Sequence, residues 1–193
     1  EAVLHSDIPM GSGVSSSAAI ELAFGCLWNE IDGLGLDNKM LALLGQKCEN
    51  QFIGVQCGIM DQMASARGRA GHAMLIDTRS LDIVYAPVPN ELTIVLCDTK
   101  TPRSLTASAY NERRSQCEAA SRLLQIKALR DAGANYLEEL GKYANEAVIA
   151  RAKHVVTENT RCEAFVRALH DRALDQIGTL MRESHVSLKN DYV

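Results

Sequence analysis

Two clusters in the chain combine residue types that do chemistry together. The first is Pro9-Met10-Gly11-Ser12-Gly13-Val14-Ser15-Ser16-Ser17-Ala18-Ala19, placed directly ahead of an apolar, helix-period run. Glycines let a backbone approach a ligand closely, so that N–H groups converge on one anion. A helix start adds unsatisfied donors and partial positive charge. Serine hydroxyls donate to phosphate oxygens or ligate magnesium. These features make Gly11 to Ala18 a candidate phosphate loop, and the same residues also suit a plain Gly/Ser turn into a well-capped helix. It is not a Walker A loop, which needs a lysine that is absent here. Nor is it a dinucleotide fingerprint, because Ser16 stands where a third glycine belongs. Without a lysine, triphosphate charge has to be met by a metal and by residues elsewhere.

The second cluster runs from Glu49 to Gln62 and places two acids, Glu49 and Asp61, on either side of a glycine-containing turn. Such a reversal can bring both carboxylates into one cleft. A phosphotransferase needs that division of labour, with one carboxylate for magnesium and one near the attacking hydroxyl. Spacing alone also suits the commoner use of these residues, as surface or capping groups at helix ends.

The elements that would position them follow from periodicity. Ala2 to Ile8 reads as a short strand, stopped by Pro9. Ser16 to Ile31 reads as a helix with Ser15 or Ser16 at its N-cap, Glu21 in an early turn, and Ala19, Ala23, Cys26 and Leu27 on its apolar face. Asp37 caps a second helix to about Phe52, with Met40, Leu43, Leu44 and Lys47 in register. Ile59 to Ala66 forms a third, short helix. The period then becomes extended, with strands expected at His72 to Asp77, Asp82 to Val88 and Glu91 to Asp98. Leu92 to Cys97 is continuously apolar and β-branched, as a central strand should be. From Leu105 onward the pattern is helical, in segments of about 105–130, 134–140, 143–157, 159–173 and 175–188. Helices gathered around a few strands, without regular alternation, argue for an α+β fold. The change of pattern near residues 85–90 marks the expected domain boundary, giving domains 1–86 and 87–193.

Composition narrows the function classes. The chain is 47% apolar and 23% charged with a net charge of −4, so no basic field invites nucleic acid or acidic lipid. No apolar run approaches the ~20 residues that span a bilayer, and the first residues, EAVLHSDIPM, lack the charged-then-apolar layout of a signal peptide. The six cysteines contain no CxxC pair, which points to reduced thiols in a cytoplasmic protein, most of them buried as small hydrophobes. No histidine spacing supports zinc.

The segment PMGSGVSSSAA resembles the central motif of the GHMP kinases, and CGIMDQ after ENQFIGV is similar to the galactokinase branch of that superfamily. The segment from Arg103 to Cys117, with its Tyr110-Asn111-Glu112-Arg113-Arg114 core, resembles the same branch, and the likeness runs through essentially the whole chain. It implies the two-lobed GHMP kinase fold with the active site between lobes, and ATP-dependent phosphorylation of galactose at its anomeric hydroxyl. By that likeness Gly11, Ser12, Gly13, Val14, Ser15, Ser16, Ser17 and Ala18 wrap the ATP phosphates. Ser17 and Glu49 hold Mg²⁺, and Asp61 is the catalytic aspartate. Gly58, Asp61 and Tyr110 meet the sugar, and Arg103 lies on the phosphate side. ATP and Mg²⁺ are then the cofactors, and ATP and galactose the small-molecule partners, with the oligomeric state left open. The segments around His154 and around Glu183 to Leu188 read as structural.

The branch's N-terminal motif GRxNLIGEHxDY and its C-terminal glycine-rich motif do not occur in these 193 residues. The chain therefore reads as a piece truncated at both ends, inactive in isolation. Two other readings stay open: a related sugar 1-kinase acting on arabinose or N-acetylgalactosamine, and a non-catalytic galactose and ATP sensor. Sensors of this family can lose the Ser-Ala step after the serine run, and Ser17-Ala18 is intact here.

Overall fold

A computed structural model describes residues 2–98 and 106–192. The chain divides into two compact units, residues 1–104 and 105–193. This is a division by packing, whereas the expected domains 1–86 and 87–193 follow a change of sequence pattern, and the two need not coincide. Helices with a small antiparallel sheet make the architecture α+β, as expected.

In the first unit, α1 spans Ser16–Ile31, α2 Asn38–Lys47 and α3 Met60–Arg67. The Asp37 side chain accepts from the Met40 N–H at 2.7 Å and caps α2 as its sequence implies. A π-type turn, Cys48–Ile53, carries the chain on from α2 until Gly54, at φ 87°, ends it. The strands β1 (His72–Ile76) and β2 (Ile83–Pro87) pair antiparallel, with His72 opposite Pro87 and Ile76 opposite Ile83. Ala42, Ile59 and Met63 form the core, closed by Leu43, Ala66, Ile76, Leu81 and Ile83. Tyr85 Oη donates to the Arg67 carbonyl at 2.7 Å and pins the sheet to the end of α3.

Several expectations need correction. The buried residues of α1 are Ala18 and Leu22, and those of α2 are Leu41, Ala42 and Gly45. The expected faces, through Leu27 on α1 and through Met40 and Leu44 on α2, are exposed. The period was right and the phase was not, because both helices are apolar on more than one side and the packed side of α1 includes a glutamate. Residues 2–8 and 92–98 are not strands. A strand exists only through a partner for its N–H and C=O groups, and β1 and β2, the paired strands among the described residues, pair with each other. Ile94, Val95 and Leu96 are each about three-quarters exposed as a result. The cysteines are free but not core residues: Cys26, Cys48, Cys97 and Cys162 are exposed, and Cys57 and Cys117 are half-buried.

In the second unit, α4 (Thr106–Leu123), α5 (Tyr136–Gly141), α6 (Glu146–His170) and α7 (Leu174–Ser187) enclose a core of Ala120, Leu129, Leu140, Val148 and Ala152. The break expected near Glu158 does not occur. Helix α6 runs unbroken for 25 residues, because no glycine or proline interrupts it and the Thr157 hydroxyl is absorbed by the Lys153 carbonyl one turn back, at 2.8 Å. His154 is buried, 3.0 Å from Ser187 Oγ through Nδ1 and stacked on Tyr192 with ring centroids 4.5 Å apart. Among the described residues no helix is long and apolar enough to cross a membrane.

Burial holds the His154 imidazole below its ordinary value of 6.5, against the raising influence of the Glu158 charge. The unfolded chain then takes up a proton that the folded chain resists, so stability is full above pH 6.5 and declines as the pH falls below it. The thermal midpoint of the second unit's transition should drop between pH 7 and pH 5.5, and His154→Gln should make that drop smaller. An equal drop in the variant would show that other groups carry it.

Candidate functional site

The loop before α1 adopts a backbone that few sequences tolerate. Gly11, Gly13 and Ser15 have φ of 73°, 82° and 57°, so alternate residues occupy the left-handed region. The glycines enter it without cost. Ser15 does not, and a serine held there marks a loop whose surroundings fix its shape. Alternation of this kind turns successive N–H groups toward one concave side, the geometry that receives an anion. Ser15 occupies the N-cap position, but no side chain caps α1. The expected capping bond is therefore missing, and the donors of the first turn, on Ser16, Ser17 and Ala18, are left for a ligand. Ser17 is exposed and Ala18 buried.

A cavity of about 570 Å³ opens beside this loop, lined by Val14 and Ser15, by Asp61 of α3, and by Arg69 and His72 at the entry to β1. The structure thus brings together two features quoted separately from the sequence: the glycine–serine loop and the acid of CGIMDQ. Asp61 is half-buried in the first turn of α3. Gly58, two residues before that helix, is exposed, and a Cβ on it would meet nothing within 4 Å. Arg69 and His72 were not foreseen. The Arg69 guanidinium lies 3.9 Å from the centroid of the Tyr85 ring, whose own position is set by its bond to Arg67.

Glu49 lies on the π-type turn rather than on that cavity and is only 9% exposed. Its neighbour is Glu21 of α1. Burial first, and the Glu49 charge second, push the Glu21 carboxyl up to about 7. Glu21 was expected to complement the helix dipole, yet it falls beyond the first turn of α1, which holds no acid, and turns inward toward α2 and α3. Gln62, the residue after Asp61, completes the group and is 2% exposed. Glu21 Oε2 and Gln62 Oε1 are both buried without a hydrogen-bond partner. Because Ser17 and Glu21 are four residues apart, they share one face of α1. The side chain that meets Glu49 therefore stands one turn beyond the candidate hydroxyl ligand. Burial, and then the charge of Glu49, also raises the Cys57 thiol, whose Sγ lies 3.5 Å from Asn50 Oδ1.

Among the described residues no group of three His, Cys, Asp or Glu is arranged to hold a metal, so a magnesium ion here would have to rest on fewer carboxylates plus neutral oxygens. That donor set suits the ion: hard oxygens only, with two buried acceptors lacking a donor.

Residues 1–69 match the GHMP kinases N terminal domain. The chain is 45% identical over 195 residues to a galactokinase of Roseiflexus sp. (strain RS-1), covering 98% of this chain and 50% of that protein. A solved structure of Lactococcus lactis galactokinase complexed with galactose superposes with a TM-score of 0.86 at 35% identity, over 97% of this chain and 50% of that one. The chain is a galactokinase homologue with the GHMP kinase fold. It spans half the length of the relatives it matches. Of the remaining residues that the likeness singles out in this homologue, Tyr110 is on α4 in the second unit and 44% exposed. Arg103 falls outside the described residues.

Gly45 of α2 is the contact point beneath the acidic group. A Cβ there would sit 3.0 Å from Leu22 Cδ2, 3.1 Å from Gln62 Cγ and 3.4 Å from Glu21 Oε2. Gly45→Ala would gain up to about 1 kcal/mol of helix propensity but would crowd a packed interior at a cost of about 1–3 kcal/mol. The net effect expected is a loss of about 1 kcal/mol, read as a lower denaturant midpoint at unchanged slope. A gain in stability would show that Leu22 and Gln62 relax freely.

Proposed function

We propose that this chain carries the phosphate loop and catalytic acid of an enzyme that transfers the γ-phosphoryl group of ATP to the anomeric hydroxyl of galactose in the cytoplasm. The observation that carries this reading is the shared cavity, which sets Val14 and Ser15 of the left-handed loop against Asp61. The likeness to galactokinases over nearly the whole chain supports it. In this reading residues 1–86 belong to the N-terminal ATP-binding domain of the family and residues 87–193 to the C-terminal one.

The roles follow from what each residue offers. Backbone N–H groups of Gly11 to Ala18 bind phosphate oxygens, aided by the uncapped start of α1. The Asp61 carboxylate accepts the proton of the sugar hydroxyl and orients its oxygen toward the phosphorus. Gly58, with no side chain, leaves room for the sugar close to the backbone, Tyr110 hydrogen-bonds a sugar hydroxyl, and Arg103 lies on the phosphate side. Ser17 and Glu49 would hold Mg²⁺, which when bound neutralises charge building on the transferred group. Positioning and fixed charge supply most of the rate enhancement.

The test is ADP release with ATP, magnesium and, separately, galactose, arabinose and N-acetylgalactosamine, from a full-length galactokinase whose corresponding half is replaced by this chain. Galactose-dependent release supports the reading, and release with another sugar instead would move the specificity. ATP and galactose binding without turnover would favour a sensor. In the same protein Asp61→Ala should lower kcat more than ten-fold, equivalent to about 1.4 kcal/mol of barrier, while galactose affinity by calorimetry stays within a few-fold. Turnover above a tenth of the parent value would remove Asp61 from the catalytic role.

A further inference from the structure

Three side chains from three elements of the first unit meet at a point where the expected magnesium ligands account for only one of them. Glu21 comes from α1, Glu49 from the turn after α2, and Gln62 from α3. All three offer oxygen. Glu49 is 9% exposed and Gln62 2% exposed, so water reaches neither freely. Glu21 Oε2 and Gln62 Oε1 accept no hydrogen bond from any described group. Leaving a buried acceptor unmet costs free energy, more so when it is charged. Two such acceptors beside a second carboxylate make a pocket with an excess of acceptors: the Gln62 side chain hydrogen-bonds to Glu21, yet Glu21 Oε2 and Gln62 Oε1 stay unmet. A cation, or a proton shared between Glu21 and Glu49, supplies what is missing; otherwise the arrangement is held at a loss by the packing around Gly45, where an added Cβ would sit 3.1 Å from Gln62 Cγ and 3.4 Å from Glu21 Oε2.

We infer that Glu21 and Gln62 join Glu49 as oxygen ligands of a divalent cation of the magnesium class. This rests on the assignment of Glu49 as the carboxylate that holds the metal, and it enlarges the ligand set by one carboxylate and one amide carbonyl. The chemistry favours a hard divalent ion. Two carboxylates balance its charge, the three ligands are all oxygen, and no histidine is among them. The position is also apt. Glu21 shares a helix face with Ser17, and Gln62 follows Asp61 directly. A cation gripped there would tie the loop, the turn and α3 together.

The test needs neither nucleotide nor sugar, so its outcome is separate from that of the kinase assay. Mn²⁺ is titrated into the 193-residue chain and the free ion followed by electron paramagnetic resonance, with circular dichroism confirming that each variant is folded. The expected result is one ion per chain, bound about ten-fold or more weakly in Glu21→Gln and in Gln62→Met, the range typical of lost supporting ligands. Gln62→Met keeps the volume while removing the oxygen, so it decides the matter if Glu21→Gln does not fold. Gln62→Glu should bind at least as tightly as the parent. Magnesium should raise the thermal midpoint of the parent and leave that of Gln62→Met unchanged. Binding lost only in Glu49→Gln and intact in the other two variants would overturn the inference, as would a folded parent chain that binds no ion. Turnover in the kinase assay without nucleotide-free Mn²⁺ binding would overturn it while leaving the kinase reading in place.

Discussion

The first unit depends on a missing side chain. Gly45 lets α1 and α3 close on α2 so tightly that a single added carbon would touch Leu22, Gln62 and Glu21 together. That approach is what drives Glu21 and Gln62 inward, where polar groups are costly without partners. It also carries consequences outward along each helix. The same α1 begins with the left-handed loop, the same α3 begins with Asp61, and the turn that extends α2 presents Glu49. The spacing of the chemical groups is thus set by backbone contact rather than by the groups themselves.

Much of this was legible in the sequence, and the reasons differ by element. Helix α1 was read to its observed ends because a glycine–serine loop precedes it and Asp32-Gly33 follows it. The Asp37 cap and both paired strands were also readable, since their signals are local. The loop and Asp61 were visible as residue types, and the structure adds that they face one cavity. What failed was phase. Apolar residues surround α1 and α2, so hydrophobicity could not say which side would pack, and the side that does includes Glu21. A buried glutamate is the last residue that a search for apolar faces would select, and for that reason Glu21 was read only as a helix-dipole acid and Gln62 was given no role. The signals available were small ones: a glutamate one helical turn after Ser17, and a glycine inside α2.

The second unit makes the complementary point. Its helices were legible as a class, but α6 joins two expected segments because a polar residue such as Thr157 can satisfy its hydroxyl within the helix. One turn earlier on that helix, His154 is held between Ser187 and Tyr192. Its environment comes from residues more than thirty positions away, which no local pattern announces.

The segment 92–98 has one further consequence. It combines the β-branched, uncharged run Thr93-Ile94-Val95 with exposed side chains, and no described strand takes up its backbone groups. Such a stretch is a template for intermolecular strand addition, and copies of the chain supply matching strands to one another. Association of this kind would be read as a concentration-dependent loss of solubility, with the stability of each packed unit unchanged.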